Sequence, residues 1–131
     1  MNEYSSDEMN WKSHNFERGD VYLFNFGDNG EGSEIRNLRP AVVLSNNISN
    51  RHSSILQVAP LTSQSRSNLP VHVKLDKTDN LRFQSLAQIE QTRCVSKSRG
   101  LIDGKFIKIT KLSEKRMKEI DSAIKIQFGL C

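Results

Sequence analysis

The chain has 131 residues, 36% of them hydrophobic, enough for one compact domain that buries about two thirds of its unfolded surface without metal or disulfides. Its longest hydrophobic runs, residues 21–24 and 41–44, are four letters long, against about 20 for a membrane-spanning helix, so no span is expected. The net charge of +4 hides a split: residues 1–35 carry two basic and eight acidic side chains, net −6, and the remainder 17 basic and seven acidic, net +10, a surplus that suits a polyanionic partner.

Residues 1–16 are polar, carry Glu3, Asp7 and Glu8, and lack the apolar run of a secretory signal. They read as a flexible extension of a cytoplasmic protein. Residues 17–131 read as one domain. After the Arg18-Gly19-Asp20 turn, Val21, Leu23 and Asn25 alternate with Tyr22, Phe24 and Phe26, the period of two that predicts a strand. Residues 27–37 hold Gly27, Gly30 and Gly32 among Asp28, Glu31 and Glu34. With no periodicity, this segment is expected to be a mobile loop, and loops of this length often carry function. Apolar runs at 40–44 and 55–61 predict two strands joined by a turn at Asn46, Asn47, Ser49 and Asn50. Val71, Val73 and Leu75 alternate with His72, Lys74 and Asp76, and 85–91 and 93–95 follow, giving five or six short strands in all.

The period changes after Thr110. Met117, Ile120, Ile124 and Phe128 fall on one helical stripe, with Ser113 as N-cap, Leu112 and Met117 as a hydrophobic staple and Gly129 as C-terminal cap. Crowded short strands with one terminal helix predict a mainly β fold, a small, strongly bent antiparallel barrel or sandwich with a C-terminal α-helix.

Enzyme signatures are sparse. There is no glycine-rich phosphate loop before a helix, no nucleophile elbow, and no HExxH or paired CxxC, so neither a cofactor nor a metal is expected. Cys94 and Cys131 have no His or Cys at ligand spacing; two free thiols suit a reducing compartment, and Cys94 reads as a small core residue. His14, His52 and His72 are scattered and read as structural. Arg39 and Thr62 stand out because one opens a predicted strand and the other closes the next. If those strands form a hairpin through the Asn-rich turn, both residues meet at one rim. A guanidinium beside a hydroxyl, next to a Gly-rich loop, can hold phosphate oxygens.

Five pieces then fall in register: Arg18-Gly19-Asp20-Val21-Tyr22; Gly32-Ser33-Glu34; Leu38-Arg39-Pro40 running to Ser45-Asn46; Val58-Ala59-Pro60-Leu61-Thr62-Ser63-Gln64; and Leu69-Pro70-Val71-His72-Val73 with Ser85 through Glu90-Gln91-Thr92-Arg93. Over residues 17–128 the chain resembles the MazF/PemK toxin family. The resemblance implies a homodimer of SH3-like, CcdB/MazF-type barrels acting as a ribosome-independent, sequence-specific endoribonuclease on single-stranded RNA. It also implies a MazE-like antitoxin as partner. The family's catalytic Arg, in its Arg-Pro motif, matches Arg39, and its catalytic Thr, in Thr-x-Gln, matches Thr62. By the same resemblance Ser33 and Glu34 sit on a loop over the RNA, and Gln64, Ser85, Glu90 and Gln91 fall at or near base-holding positions.

Two other readings share the fold. A CcdB-like toxin binds gyrase and cuts nothing, with a C-terminal Trp-Gly-Ile that Phe128-Gly129-Leu130-Cys131 echoes without the Trp. A nucleic-acid-binding regulator with an inactive site would lack Arg39 or Thr62, and both are present.

Overall fold

A computed structural model describes residues 11–28, 30–32, 34, 37–63 and 69–130. Among the described residues the strands are β1 (Asp20–Asn25), β2 (Leu38–Val43), β3 (Ile55–Thr62), β4 (His72–Leu75), β5 (Ser85–Gln88), β6 (Arg93–Ser96), β7 (Leu101–Ile102), β8 (Lys105–Phe106) and β9 (Lys108–Lys111). Helix α1 spans Asn47–His52 and helix α2 Glu114–Gln127. Seven strands form one antiparallel sheet in the order β4-β5-β3-β2-β1-β9, with β6 pairing β3, and β7–β8 form a separate hairpin.

The alternation in β1 puts a side chain of use on each face of this sheet. Val21 joins Val42, Ala59, Leu61, Val73, Ala87 and the helix residues Met117, Ile120 and Ala123 in one core. Tyr22, Phe24 and Phe26 join Phe16, Ala41, Val43, Leu56, Val58 and Val95 in the other. Both faces are therefore buried, and each fully buried Val, Leu, Ile or Phe contributes about 1.5–3 kcal/mol. The packed body begins ahead of residue 17: Phe16 is fully buried, and the His14 ring stacks on Phe106 at 4.1 Å and meets the Tyr22 hydroxyl at 2.9 Å.

Several expectations are refined. The Asn-rich turn is a helix, α1, because the Asn46 side chain accepts from the Ser49 N–H as N-cap and Asn50 is fully buried, bonded to Ser45. The expected strand at 85–91 ends at Gln88 and passes into a 3-10 turn, Ile89–Gln91. Cys94 is exposed rather than a core residue, because the alternation of β6 turns Val95 inward and Cys94 outward. Cys131 lies outside the described residues. In α2 Ser113 caps Arg116 N–H as expected, and Gly129, at φ +68°, closes a Schellman pair with Leu130 N–H on Lys125 C=O. Phe128, assigned to the buried stripe, is 60% exposed and follows the helix as its C-cap residue. Ala123 takes its place inside.

Candidate active site

The β2–β3 register pairs Ala41 with Pro60, Val42 with Ala59 and Val43 with Val58. Continued two residues, it sets Arg39 opposite Thr62. Opposed residues on antiparallel strands share a face, with Cβ atoms about 4.5–5.5 Å apart while pairing is kept. Here the recorded ladder stops at Pro60, which has no N–H to donate, and the end of β3 turns to β5, where Thr62 pairs with Leu86. On its other side β2 stays with β1, Arg39 opposite Phe24. The strands part at the rim.

A groove of about 310 Å³ opens there, lined by Arg39, Pro40, Leu61, Ser63, Ser85 and the loop at Arg82 and Phe83 among others. Arg39 and Ser85 are half-buried and Thr62 is 8% exposed. Thr62 is thus more enclosed than a groove-facing strand end suggests: its neighbours Leu61 and Ser63, on the other face of β3, line the groove. The Gly-rich loop is tied at its base, Phe26 N–H to Asn37 C=O at 2.9 Å and Asn37 N–H to Gly27 C=O at 2.5 Å. Cations stand near that base. The Arg93 guanidinium lies 5.5 Å from the centre of the Phe26 ring, and Arg99 Nη1 donates to Asn25 C=O at 3.0 Å.

Of the sequence-assigned residues, Arg39 and Ser85 line the groove together, while Thr62 ends β3 next to it without being among its lining residues. Glu34 lies in the loop, exposed, with its N–H on Glu31 C=O. Ser33 and Gln64 lie outside the described residues. Glu90 and Gln91 sit in the 3-10 turn beyond β5, at least one strand length, about 10 Å, from Ser85. Glu90 is instead engaged with His72. Leu69 N–H donates to His72 Nδ1 at 3.3 Å, so Nε2 carries the proton and donates to Glu90 Oε2 at 2.7 Å. Glu90 Oε1 is buried with no hydrogen-bond partner among the described residues.

Sequence reasoning missed the 80–84 loop. Its one signal was a lone aromatic, Phe83, between Arg82 and Gln84.

Fold and rim together define a small curled β-barrel protein with a cationic groove where two core strands part. The chain belongs to the PemK-like, MazF-like toxin family of type II toxin–antitoxin systems, whose model matches residues 17–128. It is 37% identical over 115 residues to the Endoribonuclease MazF of Staphylococcus saprophyticus, covering 86% of this chain and 91% of that protein. Among solved structures it is similar to MazF from Deinococcus radiodurans, with TM-score 0.70 and 20% identity over 88% of this chain and 98% of that one. A MazE–MazF structure from the same organism matches at TM-score 0.69 and 19% identity, over 90% and 100% of the two chains.

Proposed function

We propose that this toxin is a metal-independent endoribonuclease that cuts single-stranded RNA at a specific sequence without the ribosome, with Arg39 and Thr62 as its catalytic residues. Support comes chiefly from the antiparallel pairing of β2 with β3, since Arg39 near the start of β2 lines the groove and Thr62 ends β3. The activity named for the S. saprophyticus relative agrees with it. The substrate supplies the nucleophile: a ribose 2′-OH attacks its own 3′-phosphate, the new 2′-O–P bond forms as P–O5′ breaks, and the products carry a 2′,3′-cyclic phosphate and a 5′-OH.

The protein's task is alignment and charge. Arg39 spans two phosphate oxygens with its planar fork and stabilises the departing 5′-oxygen, while the Thr62 hydroxyl bonds a phosphate oxygen. One preorganised donor of this kind supplies about 10²–10³ in rate. Ser85, which lines the groove, and Ser33, Glu34, Gln64 and Gln91 hold the flanking nucleotides, while Glu90 is held by His72. No cofactor is needed.

In this reading residues 17–131 form the nuclease domain, residues 1–16 precede it, and the protein works in the cytoplasm. It works as a homodimer, and Ile126, Phe128 and Leu130, each 60% exposed, are apolar surface for that association. A MazE-like antitoxin with an acidic segment covers the basic groove and blocks cleavage. A long single-stranded RNA digested with the protein, with the product ends mapped, tests the function. Discrete sites bearing 5′-OH ends support it, and intact RNA refutes it.

A further inference from the structure

Phe83 is 67% exposed, yet it is not on a loose tip. The 3-10 turn before it, Lys77–Asp79, is closed by a reciprocal cap between Asp76 and Asp79. Arg116 of α2 donates from Nε to Asp79 Oδ1 at 2.9 Å. Leu81, 7% exposed, anchors the loop in the core. On the far side Ser85 opens β5, and its Oγ donates to the Phe83 carbonyl at 3.2 Å. An apolar ring is thus held out in water on a fixed loop, lining the same groove as Arg39. The Arg82 guanidinium lies 5.7 Å from its centre.

We propose that Phe83 is the stacking platform for a nucleobase beside the scissile phosphate of single-stranded RNA, a role that rests on the ribonuclease reading of the Arg39–Thr62 rim. Every base offers a π-face to such a ring, and single-strand binding proteins combine exposed aromatics with a cationic groove in this way. Arg39 and Arg82 line the same groove as the ring and supply cations for the phosphates that flank a stacked base. The charge of the patch selects this occupant over a second copy of the chain. A twofold contact through the same surface would set one cationic patch against its copy, whereas RNA brings the opposite charge. Because stacking is sequence-tolerant, Phe83 contributes to grip and register rather than to the choice of the word that is cut.

The test uses full-length, folded variants and a 2′-O-methyl oligonucleotide containing the mapped cleavage word, which binds without being cut. Phe83→Ala and Phe83→Leu are expected to weaken its binding roughly tenfold or more, and Phe83→Tyr to bind like wild type. Phe83→Leu is the informative arm, since it keeps an apolar side chain and removes only the π-face. On cleavable RNA the same losses are expected in KM, with kcat changed little. In a Trp11→Phe, Phe83→Trp protein, indole emission is expected to fall as the oligonucleotide saturates the site. Three results overturn the proposal: wild-type affinity in both Phe83→Ala and Phe83→Leu, an unchanged indole signal at saturation, or conversion of a dimeric wild type to monomer by Phe83→Ala, which would assign the ring to a second copy. If the wild-type protein cuts no RNA, the ribonuclease reading falls and this one with it. If it cuts normally and the Phe83 variants match it, only the stacking role is lost.

Discussion

Arg39 separates charge from geometry at the proposed site. Arg39→Lys keeps the cation but loses the planar fork that spans two oxygens, so its cleavage rate is expected to fall nearly as far as that of Arg39→Ala. Thr62→Ala is expected to slow cleavage by roughly 10² or more, with Thr62→Ser retaining much of the rate. Thr62 is 8% exposed, so its alanine variant also loses some packing, and a fall of a few degrees in thermal midpoint is expected. Rates must therefore be compared on folded protein. A second residue-scale effect lies at His14, whose pKa is held below 6.5, first by burial against Phe16, Tyr22 and Phe106, with the positive fields of Lys97 and Lys108 adding to it and Asp20 opposing. The unfolded chain then binds the proton more readily than the native one. Stability is expected to fall as pH drops below 6.5, and His14→Phe to flatten that slope in denaturant titrations from pH 7.5 to 5. An unchanged slope would mean that His14 protonates freely in the fold.

Helix α2 shows how element-scale stability divides. Ile120 is fully buried and Ile126 is 60% exposed on the same helix. Ile120→Ala is expected to cost about 2–5 kcal/mol by thermal or denaturant unfolding, and Ile126→Ala close to nothing in a monomer. Arg116 ties α2 to the loop below it, with hydrogen bonds to Asp79 and Glu119 and an ion-pair contact to Asp76, and those bonds raise its own pKa. Because Asp79 is buried, Arg116→Ala leaves a carboxylate without its cation. A loss of about 1–3 kcal/mol is expected, with faster amide exchange at 80–84. β1 and α2 were legible from a clear period, and β2 and β3 from apolar runs bounded by turn residues. β7, β8 and β9 were not: Leu101–Ile102 and Lys105–Phe106 are two residues each, and Lys108–Lys111 buries only Thr110. The Asp103-Gly104 pair was a readable signal there. Both residues have positive φ, +52° and +78°, as a two-residue type I′ hairpin requires.

For the molecule as a whole, the antiparallel pairing of β2 with β3 was legible because one short connection joins them. The groove was not, since it depends on where β3 abandons β2 for β5, a long-range choice with no local pattern. Charge was legible and makes a whole-molecule prediction: log affinity for single-stranded RNA is expected to fall with log salt by about 0.7 per neutralised phosphate, and a flat response would remove the polyanion argument. Cleavage is expected to continue in excess EDTA, because Arg39 supplies the positive charge that a metal would otherwise bring; loss in EDTA with recovery in Mg²⁺ would contradict that. The most direct measurement is a single-turnover digest of one single-stranded RNA by wild type, Arg39→Lys and Thr62→Ala, with product ends identified chemically. The expected result is 2′,3′-cyclic phosphate and 5′-OH ends from wild type, and rates lower by roughly 10² or more in both variants. Near wild-type rates in both would place the chemistry elsewhere on the barrel.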